Sequence, residues 1–285
     1  MAKKLIKIAI AYDFDGTLAK GNIQENSFIP ELGLTKKKFW DEANEIGRKC
    51  EMDKILAYMY LLIKKAKEDG KVKFDKKSLI AHGKNVRFFK GVVGYFKRIN
   101  AYSKRRGVEL EHFIISSGTK EMIIGTSIAK EFKHIYASSF KFDQNGIPEW
   151  PAQVINYTTK TQFLFRINKG IKNLWEDARI NEFTAENDRP MPFKNMIYIG
   201  DGLTDVPSMK LVKSQGGFSI GVYEPRTKLK SKVEKLLIDN RANYVAPADY
   251  ANGSDLDTIL KAIINHIASR ESIASFSKVR TIIKT

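Results

Sequence analysis

Two aspartates one residue apart, Asp13 and Asp15 in AYDFDGTLAK, are the pair in this sequence best placed to do chemistry. They follow an apolar run, Leu5, Ile6, Ile8, Ala9, Ile10 and Ala11, dense enough to be a buried parallel strand. Asp13 then falls at the carboxyl end of that strand, and ligands of open α/β sheets bind outside such ends. Phe14 points the other way, into the core, and Gly16 permits a tight turn. Two carboxylates this close on a rigid strand end repel unless a cation lies between them. A second acidic pair, Asp201 and Asp205 in GDGLTD, ends the apolar run Met196 to Ile199 and brackets a glycine turn that enters a helix. Between the pairs, His112 to Ile115 reads as a short strand ending in Ser116-Ser117-Gly118, with a helix starting at once through Lys120 and Glu121. A hydroxyl at a strand end followed by free helix amides suits an anion. Lys160 falls at the start of a helix capped by Thr158 or Thr159, where a cation opposes the helix dipole and needs a reason to be there.

Strands and helices must bring these residues together. After Asp15 the strand signals vanish over residues 19–88. Phe39, Ala43, Ile46 and Cys50, then Ile55, Met59, Leu62 and Ile63, recur at helical spacing, and Gly70 closes the stretch. A further helix follows in DKKSLIAHGKNVRFF. The segment is read as a helical insertion. Phe96, Ile99 and Tyr102 mark an amphipathic helix stopped by Gly107. His134 to Phe140 is a strand, Asp143 to Gly146 a hairpin turn, and Val154 to Tyr157 the strand that follows. The helix beginning near Lys160 carries Phe163, Phe165, Ile167, Ile171 and Leu174. A polar loop, 183–193, precedes the Met196 strand. GGFSIGVYEP gives another strand, 226–239 a helix, and ANYVAPADY an edge strand with Pro247. The tail is helical, with Leu256, Ile259, Ile263 and Ile267 on one face. Alternating strands and helices predict an α/β fold.

Composition narrows the classes. In 285 residues, 43% hydrophobic residues suffice for a core, and no apolar run approaches a membrane span. The basic-then-apolar start resembles a signal peptide but runs straight into the aspartates with no cleavage site. The single cysteine, Cys50, allows no internal disulfide, which fits a reducing cytoplasm. The net charge of +17 is spread over the chain, as in Lys36-Lys37-Lys38, Lys104-Arg105-Arg106 and the run 226–235. It reads as a lysine-rich solvated surface; attraction of anionic substrates or nucleic acid is the alternative, and no nucleic-acid-binding motif accompanies it. His82, His112, His134 and His266 show no metal-ligand spacing, so the oxygen-rich aspartates suit magnesium rather than zinc.

DFDGTL and GDGLTD together resemble the first and last motifs of the haloacid dehalogenase (HAD) superfamily of phosphohydrolases. SSGTKEMI resembles the second, with Ser116 at the phosphate-binding hydroxyl and Ser117 the alternative. By the same resemblance Lys160 would be the third-motif lysine, with Lys169 the second candidate. The resemblance covers roughly 1–20 and 88–250. It implies a Rossmann-like three-layer α/β/α core with a central parallel sheet, formed by 1–18 and 89–285. A small all-helical cap domain, 19–88, would be inserted after the first motif, as in the phosphoserine-phosphatase-like branch. Magnesium would be held by Asp13, Asp15 (through its backbone carbonyl), Asp201 and Asp205. Asp13 would attack phosphorus to form an aspartyl-phosphate, and Asp15 would protonate the leaving oxygen and later deprotonate water. Ser116, Ser117, Gly118 and Lys160 would hold the phosphate. The expected reaction is hydrolysis of a small phosphorylated metabolite, with phosphomutase chemistry or phosphate-ester binding as alternatives. Asn22, Gln24, Glu25 and Arg48 are the cap residues that could face a substrate.

Overall fold

The computed structural model describes residues 5–70, 72–227 and 229–282, so Lys228 of the basic run and both chain ends lie outside it. Strand β1 (Ile6–Tyr12) is central. It is followed by a 3-10 turn (Ile23–Glu25) and four helices: α1 (Phe28–Glu31), α2 (Lys36–Lys49), α3 (Lys54–Asp69) and α4 (Lys76–His82). Then come α5 (Val92–Lys104), β2 (Val108–Thr119), α6 (Lys120–Ile124), β3 (His134–Phe142), β4 (Pro148–Gln153), α7 (Thr159–Lys169) and α8 (Asp177–Asn181). The chain ends with β5 (Met196–Gly200), α9 (Val206–Ser214), β6 (Phe218–Tyr223), α10 (Leu229–Ile238), β7 (Tyr244–Pro247) and α11 (Asp255–Ile282).

The seven strands form one sheet in the order β4-β3-β2-β1-β5-β6-β7. All neighbours are parallel except β3 and β4, an antiparallel hairpin at the edge. Successive side chains of a strand face opposite sides, and this sorts the core into two layers. Ile8, Ile10 and Tyr12 pack with α5 and α11 residues such as Phe96 and Ile263, whereas Ala9 and Ala11 pack with Phe163 and Leu164 of α7 and Met209 of α9. Helices thus cover both faces of the sheet, the three-layer α/β arrangement expected.

Among the described residues of 19–88, the regular elements are helical. Their starts are capped by side chains: Thr35 accepts from the Lys38 amide, Asp53 from Ile55, and Asp75 from Ser78. The two apolar series fall on separate helices, α2 ending at Lys49 and Asp53 starting α3, and Cys50 is exposed at the break between them rather than part of the apolar stripe. The segment joins the sheet through two paired strands of linker: Lys20 donates to the Arg87 carbonyl (2.8 Å) and Phe89 to the Leu18 carbonyl (3.0 Å). At its end α4 lies against α6 so closely that a Cβ on Gly125 would stand 1.7 Å from the Ile80 carbonyl oxygen, and one on Gly83 2.0 Å from that of Met122.

Three expectations change. The strand expected at Val154 to Tyr157 is β4, displaced to Pro148–Gln153. An edge strand tolerates the missing amide of Pro151, and Asn156 serves the start of α7, its amide donating to Thr159 Oγ1 (2.8 Å). Helix α7 stops at Lys169 because Gly170 turns left-handed (φ 69°), so Ile171 and Leu174 pack beyond its end. Strand β2 runs on to Thr119, past the expected end at Ile115, and α6 has only five residues.

Candidate active site

Asp13 follows β1 directly, and its amide donates to the Ile199 carbonyl of β5 (2.9 Å). Its side of the strand is the α7 side. Lys160, in the first turn of α7, puts its Nζ 3.0 Å from Asp13 Oδ1 and 2.7 Å from Asp205 Oδ1, with all three side chains buried. The cation that opposes the helix dipole is thereby explained by two carboxylates. Asp205 is saturated: Oδ1 also accepts from the Tyr198 hydroxyl (2.7 Å), and Oδ2 from the amides of Asp201 (3.2 Å) and Gly202 (3.3 Å).

Carboxylate oxygens of Asp13, Asp201 and Asp205 lie within 4.8 Å of one another. Gly16, at φ 74°, makes this approach possible, since a Cβ there would stand 2.2 Å from Asp201 Oδ2. Asp15 is outside the trio. Its Oδ1 accepts from the Ile23 amide (2.8 Å), and its Oδ2 would be 2.8 Å from a Cβ on Gly118. The four aspartates named from sequence therefore converge as three together and one turned toward the helical segment.

Ser116 is fully buried, and its Oγ accepts from the Gly118 amide (3.0 Å). Pairing of β2 with β3 slips between Ser116 and Thr119, so Ser117 and Gly118 bulge from the ladder toward the aspartates. Lys169 is at the other end of α7, about 13 Å along the helix from Lys160 at the usual rise. It donates to the Ile180 carbonyl (2.5 Å) and takes no part in this cluster.

Electrostatics mark the site as short of positive charge. Burial pushes Asp13 up to about 7, with Asp205 adding and Lys160 opposing. Burial and neighbouring carboxylates hold Asp15 and Asp201 well above the usual carboxylate range. Burial alone would lower Lys160, but Asp13 and Asp205 raise it, so it stays charged. One ammonium does not balance four carboxylates, two of them, Asp13 and Asp205, buried. A hard dication on the oxygens of Asp13 and Asp201 fits both the charge and the donor set.

Asp13, Asp15, Asp201, Ser116, Ser117 and Gly118 line a cavity of about 510 Å³, with Lys160 and Asp205 buried behind them; its walls include Trp40 of α2, Tyr58 of α3, Tyr157 and Tyr223. The Tyr58 hydroxyl donates to the Ser117 carbonyl (2.7 Å). Of the cap residues named from sequence, Asn22 and Gln24 line the cavity. Gln24 Nε2 donates to Thr119 Oγ1 (3.2 Å), while Glu25 is engaged with Lys36 and Trp40, and Arg48 is exposed and does not line it. Trp40 and Tyr58 escaped the sequence reading because each adjoins an apolar residue of the helical stripe, Phe39 and Met59. The available signal was an aromatic ring with a polar tip one step from the stripe.

Residues 8–263 match the family described as "Putative Phosphatase". The chain belongs to this phosphatase family. A protein of Borreliella burgdorferi described as uncharacterized is 29% identical to it over 275 residues, 87% of this chain and 93% of that one. A HAD family hydrolase from Salmonella enterica serovar Typhi superposes with a TM-score of 0.56 at 17% identity, covering 91% of this chain and 72% of that one. Phosphoserine phosphatase in its apo form gives 0.55 at 15% identity, covering 90% and 99%. A phospho-aspartyl intermediate analogue of phosphoserine phosphatase gives 0.52 at 15% identity, covering 90% and 99%. The phosphatase thus shares the fold of these HAD and phosphoserine phosphatase structures, and among its described residues no helix is long and apolar enough to cross a membrane.

Proposed function

We propose that this phosphatase is a magnesium-dependent hydrolase of a small phosphomonoester that passes the phosphoryl group through Asp13. The observation that carries the reading is the position of Asp13: at the end of the central strand, 3.0 Å from Lys160, beside Asp201, on the floor of the cavity. A carboxylate oxygen of Asp13 attacks phosphorus while the bond to the ester oxygen breaks, and Asp15 gives that oxygen its proton. Water then attacks the phosphoryl group, Asp15 takes its proton, and the bond to Asp13 breaks to release phosphate. Ser116, the bulged amides of Ser117 and Gly118, and Lys160 hold the phosphoryl oxygens against the charge that develops. Asp13, Asp201 and the Asp15 carbonyl would hold magnesium, with Asp205 orienting this set and Lys160. When bound, the ion supplies charge neutralisation between phosphate and carboxylates. Residues 19–88 act as the cap, with Asn22, Gln24, Trp40 and Tyr58 facing the leaving group.

The test is phosphate release from an aryl phosphate and a panel of phosphorylated metabolites, with magnesium and with chelator. Wild-type release should vanish with chelator. Asp13→Asn should lose on the order of 10³-fold or more in kcat, and acid quenching should trap labelled phosphate on wild type alone. Undiminished release by Asp13→Asn overturns the reading.

A further inference from the structure

We propose that Glu25 is a positioning residue for Asp15: by bracing the turn Ile23–Glu25 it aims the Asp15 carboxyl at the leaving oxygen. This rests on the reading of Asp15 as the group that protonates that oxygen. The Ile23 amide donates to Asp15 Oδ1 at 2.8 Å, so Asp15 is aimed by the helical segment as well as by β1. Yet the turn holding Ile23 is one turn long, and its preceding residue, Asn22, makes no side-chain cap to it. An isolated turn of that length is not stable by itself.

Its rigidity comes from Glu25. One oxygen accepts from Trp40 Nε1 (2.8 Å) and Asn22 Nδ2 (2.8 Å), the other from Lys36 Nζ (2.7 Å). Trp40 and Lys36 belong to α2, so a single carboxylate fastens the turn to the helix behind it. The fit is tight: a Cβ on Gly21 would stand 2.8 Å from Glu25 Oε2, and Gly21 has φ 66°, so the chain turns past the carboxylate without a side chain. Burial works against the charge on Glu25, but the three donors hold its carboxyl below the usual range. Trp40 also lines the cavity. The wall that meets the leaving group and the acid that serves it are therefore joined through Glu25, although Glu25 itself touches neither Asp15 nor the phosphoryl site.

An acid matters most where the departing alkoxide is a strong base. The quantity to read is kcat/KM, which covers only the steps up to departure of the alcohol, for 4-nitrophenyl phosphate and for a simple alkyl phosphate. Glu25→Gln keeps the size and should lose about tenfold or more on the alkyl ester and less than about threefold on the nitrophenyl ester, a fraction of the effect of a full general acid. Trp40→Phe keeps the apolar wall, removes one donor to Glu25, and should shift the same ratio in the same direction. In the double variant with Asp15→Asn the loss on the alkyl ester should be no greater than with Asp15→Asn alone. Equal losses on both esters would make Glu25 a merely structural residue and overturn the proposal, as would additive losses in the double variant. If Asp15→Asn itself shows no preference between esters, the acid role of Asp15 fails, a result separable from the behaviour of Glu25.

Discussion

Lys160 is the cation that two buried carboxylates, Asp13 and Asp205, share, and it has no exposure to water. With its ammonium removed, Asp13 and Asp205 would keep their burial and lose their counter-charge. Lys160→Gln should therefore cost about 3 to 5 kcal/mol of stability, read by urea unfolding, and about 10²-fold or more in kcat. Magnesium should restore part of the lost stability, because it opposes the same repulsion, and chelator should deepen the loss. At this scale much of the site was legible. Asp13, Asp15, Asp201 and Asp205 stand in short patterns whose chemistry depends on residue type and spacing. Lys160 was readable as an anomaly, a cation at a helix start. The separation of Asp15 from the other three was not, because the donor that draws it aside is a backbone amide, Ile23, and any residue there has one.

At the scale of elements, β2 carries Ser116 to Gly118, proposed to hold phosphate, at one end and a buried histidine in its middle. His112 Nε2 lies 2.9 Å from Asn100 Oδ1 and Nδ1 3.0 Å from the Tyr12 hydroxyl, an arrangement suited to a neutral ring that donates from Nε2 and accepts at Nδ1. Burial holds its pKa at about 3, far below the 6.5 of an exposed histidine. As pH falls from 6.5 toward 3, the unfolded chain takes up a proton that the folded chain refuses, so stability drops by about 1.4 kcal/mol per pH unit from this group alone. The margin of wild type over His112→Gln should therefore be about 2 kcal/mol smaller at pH 4.5 than at pH 6.5, measured by urea unfolding. Of the elements, the strands that feed the aspartates were readable as apolar runs. The true end of β2 was not, since Ser117 and Gly118 break the ladder without breaking the strand. Nor was the start of β4 at Pro148, where a proline reads as a stop and the edge position permits it.

For the whole molecule, the division into sheet and helical insertion follows from where strand signals cease, and the three-layer core from alternation of helix and strand. What no pattern announced is how firmly the insertion is seated. Gly125 and Gly83 lie where two backbones nearly touch, and the need for glycine there comes from a neighbour about 40 residues away in sequence, Ile80 for Gly125 and Met122 for Gly83. Gly125→Ala should cost about 3 kcal/mol, seen in thermal or urea unfolding, with the leaving-group preference of the surviving enzyme unchanged. The close seating of α4 on α6 also bears on the cavity, although neither glycine lines it. Trp40 and Tyr58 come to its walls from the helical segment, Tyr157 and Tyr223 from the rest of the chain. With the two backbones locked at Ile80 and Met122, the span between those walls is gauged by a joint that the cavity itself never touches.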